Sequence, residues 1–311
     1  MVTQNGETTI STFEFFEMFP DEEAAIEYLE DVRWGDGEYC PHCDSERVTR
    51  LKARPYWMCR DCRKKYTVRT DTVFERSHVP LHKWLYAMYL LEINRKGISS
   101  VNLSKQLGIR QPTAWFMLHR LRKACDVEAI PLSGTVEVDE TFVGGSKKNM
   151  HYDRKQKLPP GPIGGKEVVF GLRERESGEV IAYPIPDTTA RTLSPEILRN
   201  VERGATVYTD DHGGYHQVNK WYSHATVNHS RWQWADEDVT TNGIESVWAV
   251  LKRGYKGVYH HWSPKNTRRY VNEFVFRLNC SKRYNHSIDR LTWLVENAFE
   301  KRLTYDELTG D

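Results

Sequence analysis

Four cysteines limit what the N-terminal part of this chain can be. They stand as Cys40-x2-Cys43 and Cys59-x2-Cys62, with fifteen residues between the pairs. Each pair turns two thiolates toward one point, and two such knuckles complete a tetrahedron, the arrangement of a zinc ribbon. The segment between them, SERVTRLKARPYWM, alternates as the strands of a ribbon must. A module this small buries little apolar surface, so one zinc per chain would supply much of its folding free energy. Two disulfides or unrelated thiols are the alternative. The segment MVTQNGETTISTFEFF does not read as a secretory leader, so reduced thiols rather than disulfides are expected. Cys125 and Cys280 stand alone and read as small buried hydrophobes.

The net charge of +1 hides an uneven distribution. Residues 1–38 hold eleven acids and Arg33 as the lone base, whereas residues 47–69 hold nine Lys and Arg against Asp61. A basic segment therefore sits beside an acidic one, and an ordinary solvated surface is the plain alternative. Hydrophobic residues at 39% and ten tryptophans allow packed cores in a chain of 311 residues, long enough for two or three domains. No apolar run approaches the roughly 18 residues of a membrane span, so a cytoplasmic, nucleoid-associated protein with no membrane partner is expected.

Along the chain the expected organisation is multidomain α+β. A helical segment (1–37) opens at an Asp21 N-cap, and the ribbon (38–72) follows. A helical region spans 78–128, an apolar helix over 80–95 and then SSVNLSKQLGIRQPTAWFMLHRLRKAC. In that stretch Gly108 sits where a turn needs positive φ, and Pro112 opens a second helix. This reads as a helix-turn-helix, with residues 113–124 in the recognition position and Leu103, Leu107, Ile109, Trp115, Leu118 and Leu121 as its core. Arg110, Gln111, His119, Arg120, Arg122 and Lys123 are the candidates to face DNA; a plain trihelical packing unit is the alternative. From 133 to 285 strands dominate, interrupted by a basic loop over 144–166. The order of three antiparallel strands, helix, strand, helix, strand, helix is that of an RNase H-like mixed α/β domain. A C-terminal helix is expected within 286–311.

Three carboxylates fall at telling places. Asp139 ends the first strand of that domain and Asp210 the fourth, and those strands are neighbours in an RNase H-like sheet. Glu245 follows after 34 residues, on a helix whose Ile244, Val247, Val250 and Leu251 form one face. Asn242, Glu245, Ala249 and Lys252 form the opposite face. Acidic oxygens so placed can hold two divalent cations, Mg²⁺ or Mn²⁺, with Lys252 contacting a phosphate. Taken singly, each acid is more simply a cap or a solvated side chain; three in this order, with Lys252 seven residues on, favour phosphoryl-transfer chemistry. Glu137 and Glu140 are set aside as pointing to the face opposite Asp139.

These segments resemble bacterial and archaeal insertion-sequence transposases that join an N-terminal zinc ribbon to a DDE domain. The resemblance covers about residues 14–285. It rests on PDEEAAIEYLEDVRWGDGEYCPHC, VEVDETFVGG, VYTDDHGGY, VNHS and NGIESVWAVLKRGYKGVYHHWSPK. It implies Asp139, Asp210 and Glu245 as the acidic triad and Lys252 as the trailing base, with Asn242 and Asp211 adjacent. His229, His260 and His261 fall in matching segments without an assigned role. Implied partners are the element's terminal inverted repeats, target DNA, and a homodimer or higher oligomer on DNA. A nuclease that cuts without joining, or a DNA-binding regulator, are the other readings; a regulator would be expected to have lost part of the triad, which is complete here.

Overall fold

The computed structural model describes residues 2–4, 7–52, 56–145, 151–156, 164–227 and 239–310. The basic loop 144–166 therefore lies partly outside the described residues, as does the Asn228-His229-Ser230 motif. Two compact units result, residues 1–127 with 283–311, and residues 128–282. Among the described residues no helix is long and apolar enough to cross a membrane.

The first unit opens with a two-stranded ribbon, β1 (Val2–Gln4) and β2 (Glu7–Thr9), and a short helix α1 (Thr12–Met18). Helix α2 (Glu22–Trp34) starts where the sequence places it, with the Asp21 carboxylate accepting the Ala24 N–H at 3.0 Å. Strands β3 (Val48–Arg50), β4 (Trp57–Cys59) and β5 (Lys65–Tyr66) form an antiparallel sheet in that order. Glu30 of α2 fastens this sheet, accepting from Trp57 Nε1 at 3.0 Å and pairing with Arg50 at 2.6 Å. Arg33 reaches past it to the carbonyls of Val68 and Thr70.

Helix α3 (Leu81–Ile93) is buried around most of its circumference, as its apolar run Trp84–Leu91 requires. Helices α4 (Ser100–Leu107) and α5 (Gln111–Ala124) are joined through Gly108, whose φ of +62° is the left-handed turn its position called for. Leu103, Leu107, Leu118 and Leu121 are buried between them, with Ile109 and Trp115 half-buried. One expectation needs correction. His119, Arg120 and Arg122 are buried and cannot face DNA. The Arg120 guanidinium stacks over Trp84 and Phe116 at 5.3 and 5.4 Å and donates to the Glu75 carbonyl at 2.6 Å. Burial lowers its pKa to about 10. His119 packs its ring against Trp115 at 4.5 Å. Arg110 and Gln111, at the start of α5, are exposed, and Lys123 is half-buried.

The second unit is built on β6 (Thr135–Val143), β7 (Glu167–Glu174), β8 (Val180–Ile185), β9 (Thr206–Asp210) and β10 (Ser223–Val227). Helix α6 (Tyr152–Gln156) lies between β6 and β7, α7 (Ala190–Asn200) between β8 and β9. Helices α8 (Asn242–Gly254) and α9 (Thr267–Arg283) follow β10. The sheet order is β10-β9-β6-β7-β8: an antiparallel meander β6–β7–β8, with β9 parallel to β6 and β10 parallel to β9. This is the RNase H-like arrangement. Val136 and Val138 pack with Leu193 and Ile197 of α7, whereas Val143 packs with Ile244 and Trp248 of α8 and with α9. Asn279 of α9 covers edge strand β8, exchanging two hydrogen bonds with the Val180 backbone. The alternation also corrects the reading of Glu137. Two residues from Asp139, it shares that residue's face, and both carboxylates accept hydrogen bonds from α8.

In place of one C-terminal helix there are two, α10 (Ser287–Glu296) and α11 (Tyr305–Thr309), and both belong to the first unit. Tyr28 and Thr292 hydrogen-bond at 2.8 Å, Ser287 Oγ accepts from Ile10 N–H at 3.0 Å, and Arg290 pairs with Glu92. Leu291, Leu294 and Val295 are fully buried. Leu294→Ala should therefore cost about 2–5 kcal/mol, read from denaturant unfolding of the full chain. A loss below about 0.5 kcal/mol would show that α10 is not part of that core.

Candidate active site and metal centre

In the ribbon, each knuckle closes by the same local geometry. The residue after the second cysteine, Asp44 in one and Arg63 in the other, takes φ +57°. Each first cysteine accepts a backbone N–H on sulfur, His42 on Cys40 at 3.4 Å and Cys62 on Cys59 at 3.5 Å. The sulfurs of Cys40 and Cys62, and of Cys43 and Cys59, lie 3.7 Å apart. All four donor atoms lie within 4.8 Å of one another. A tetrahedral ion with Zn–S bonds of about 2.3 Å has ligand–ligand edges of about 3.8 Å, so the thiols fit zinc. A disulfide needs sulfurs about 2.05 Å apart, which these are not. Burial would raise the Cys59 thiol, but the N–H groups of Cys62 and Asp61 and the neighbouring thiols bring it down to about 6.

The second cluster stands at one edge of the five-stranded sheet. The β6–β9 ladder pairs Thr135 with Thr206, Val136 with Val207 and Glu137 with Tyr208. Two residues beyond the last pair, on each strand, come Asp139 and Asp210. The ladder thus brings the two acids level on adjacent parallel strands; Asp210 ends β9 as the sequence suggests, but Asp139 does not end its strand, because β6 stays paired with β7 as far as Val143. Asp139 Oδ2 accepts the indole N–H of Trp248 at 2.9 Å. Burial, then the charges of Glu140 and Asp210, push its carboxyl up to about 7. Asp210 Oδ1 accepts the His212 N–H at 3.0 Å.

Glu140 was passed over in the sequence because it faces away from Asp139. It does so, taking the Tyr215 hydroxyl and lying 3.8 Å from His212 Nδ1, yet it adds a third negative charge to this edge. Burial raises its carboxyl, and Asp210 adds to the rise against the Tyr215 hydrogen bond. The available signal was the Asp211-His212-Gly213-Gly214-Tyr215 run, whose short turn brings both of its partners back to β6.

Glu245 is half-buried on the first turns of α8 and accepts from the Thr241 hydroxyl at 3.0 Å. Asn242 and Lys252 are exposed, and Ile244, Val247 and Leu251 are buried, as the helical periodicity requires. Among the described residues the cysteines are the one group of three or more candidate ligands gathered within 4.8 Å. Asp139, Asp210 and Glu245 are not drawn that close together. As oxygen donors carrying mutual repulsion, they suit a hard divalent cation. Tyr255–Tyr259, after α8, is a π turn, and His260 and His261 beyond it are exposed.

Both clusters give measurable outcomes. The folded Asp139 carboxyl keeps its proton up to about pH 7, while an unfolded aspartate releases it near 4. Between those values the folded state binds more protons, so stability falls as pH rises through the window. In buffer without divalent cations, Asp139→Asn should melt higher than the native chain at pH 8, by up to about 4 kcal/mol in stability, with the gap closing at pH 4. A gap that is the same at both pH values would remove the strained-carboxyl account. Cys59→Ser should lose the zinc, from about one per chain to well below that, and lower the melting temperature. Retention of both would disprove the four-thiolate site.

Comparison with known families bears on both clusters. Residues 20–65 match a family model described as a transposase zinc-ribbon domain, and residues 131–279 match an ISXO2-like transposase domain. A protein of Halobacterium salinarum, described as an uncharacterized protein in transposable element ISH50, is 27% identical over 271 residues, covering 83% of this chain and 91% of its own length. Among solved structures, a chain of a simian T-cell lymphotropic virus intasome in complex with PP2A regulatory subunit B56 gamma aligns over 61% of this chain and 68% of its own. At 13% identity and a TM-score of 0.29, that likeness carries no argument. The chain thus carries a transposase zinc-ribbon domain ahead of an ISXO2-like transposase domain, the two parts expected of an insertion-sequence transposase.

Proposed function

We propose that this transposase cleaves DNA at the ends of its insertion sequence and joins the freed ends to target DNA, with Asp139, Asp210 and Glu245 as the catalytic carboxylates. The observation that carries this reading is the level placement of Asp139 and Asp210 on neighbouring strands, with the Glu245 helix bonded to Asp139 through Trp248. Asp139, Asp210 and Glu245 would hold two Mg²⁺ or Mn²⁺ ions, which would supply activation of an attacking water or 3′-hydroxyl and stabilisation of the leaving oxygen. The crowded, partly protonated Asp139 must release its proton as the site loads. Lys252, exposed and two turns beyond Glu245, meets a phosphate oxygen as a point charge.

Recognition rests on the first unit. Arg110 and Gln111, at the exposed N-terminal end of α5, are where a recognition helix presents side chains to base edges. Lys123 and the exposed Lys52, Arg60, Arg63, Lys64 and Lys65 contact backbone phosphates, which makes affinity fall with salt. Holding two terminal repeats together with a target calls for at least a dimer on DNA.

The test is a Mg²⁺-dependent cleavage and joining assay on end DNA, with gel-shift binding in parallel. Asp139→Asn, Asp210→Asn and Glu245→Gln should each slow both steps at least about 10³-fold while binding survives, and Lys252→Ala should cost less. Activity retained by all three would reject the triad; loss at Asn242→Ala with Glu245→Gln active would move the third ligand. Cleavage without joining would favour a nuclease. Arg110→Ala should narrow the preference for end DNA over random DNA by about 1–3 kcal/mol. An unchanged preference would take α5 out of sequence reading.

A further inference from the structure

Trp248 stands between the two elements that carry the catalytic acids. Its indole is buried in the apolar cluster under α8, with Ile244, Val169 and Phe274. Burial explains the ring but not the destination of its one polar atom. Nε1–H donates to Asp139 Oδ2 at 2.9 Å. A buried indole N–H can be satisfied by any carbonyl; here it is spent on a carboxylate of the acid edge.

Gly171 shows that this placement is built in. It faces Asp139 across the β6–β7 ladder. Its φ lies outside the left-handed region, so the backbone there does not require glycine. What requires it is Trp248: a Cβ on Gly171 would come within 2.4 Å of indole Cη2 and 2.5 Å of Cζ2. The strand gives up a side chain, and the indole comes up against it with its N–H at Asp139.

We infer that Trp248 is a positioning residue for cation binding: it fixes the Asp139 carboxylate and, being one turn past Glu245 on α8, fixes the spacing between the two acids. The inference rests on the proposed role of those acids as cation ligands. Trp248 touches neither substrate nor ion. It acts as the outer partner of a ligand, and losing such a partner typically weakens metal affinity 10–100-fold.

The experiment uses full-length, zinc-loaded protein and Mn²⁺ binding, followed by electron paramagnetic resonance, with ¹⁵N-indole labelling as a second readout. The native chain has ten tryptophans, and the indole N–H signal missing from Trp248→Phe identifies Trp248. That signal should shift on adding Mg²⁺ and broaden on adding Mn²⁺. Trp248→Phe, which keeps most of the ring and loses the donor, should raise the Mn²⁺ Kd at least about tenfold with zinc content unchanged. Gly171→Ala keeps the indole but pushes it aside, so it should weaken Mn²⁺ binding in the same direction; it serves if Trp248→Phe folds poorly. Native-like Mn²⁺ affinity in both variants, or a Trp248 signal indifferent to Mg²⁺ while Asp139→Asn abolishes binding, would overturn the positioning role. If Asp139→Asn binds Mn²⁺ as the native chain does, the catalytic reading falls and this inference with it.

Discussion

A buried carboxylate outside the proposed triad holds the catalytic unit in register. Glu137 is only 2% exposed. It accepts the Ile244 N–H at 2.7 Å, at the start of α8, where unpaired N–H groups and the helix dipole favour an anion. Arg175 neutralises it at 3.1 Å, reaches on to the Thr240 carbonyl at 2.9 Å and lies over the Tyr208 ring. Arg173 of β7 lies 3.9 Å from the same carboxylate, so three strands and one helix converge on one charge. Gly243 makes the approach possible, since a Cβ there would lie 2.4 Å from Glu137 Oε2. Removing one partner of such a buried pair typically costs 3–5 kcal/mol, and here the loss would also free the first turns of α8, where Glu245 resides.

The two clusters of candidate ligands follow opposite designs. The four thiols stand at tetrahedral spacing, fixed by two short turns that are nearly identical. The acids are spread over two strands and a helix, and burial, together with the charge of their neighbours, raises the Asp139 and Glu140 carboxyls. A structural centre can be assembled from one local motif. A centre that must admit a moving substrate is assembled from distant ones and strains the fold that carries it.

What was legible in the sequence followed from period and spacing. The paired cysteines gave the ribbon, the change from helical to strand alternation gave the second unit, and helical arithmetic placed the exposed and buried faces of α8. What the sequence does not reveal is mostly where charged side chains end up once the chain is folded. Arg120 is buried because a guanidinium can stack on Trp84 and Phe116 while bonding a carbonyl, a possibility that its place in the sequence does not reveal. Glu140 reaches the acid edge through Tyr215, a contact made by a turn 75 residues away. Glu137 was misassigned against the two-residue alternation itself, which places it on the face of Asp139. The docking of α10 depends on long-range pairs such as Tyr28 with Thr292, which no local pattern encodes.

The return of residues 283–311 to the first unit makes that unit discontinuous, with residues 128–282 inserted in it. Chains are made from the N-terminus, and domains tend to fold as units as they emerge. The inserted unit, with its acids, is therefore fully synthesised while the surrounding one still lacks Leu291, Leu294 and Val295 from its core. A product cut short by a frameshift or a stalled ribosome would carry the acid edge on an unfinished partner, marked for degradation by its exposed apolar surface. The threading of the chain thus ties completion of the proposed DNA-recognition unit to synthesis of residues that follow the acid-bearing one.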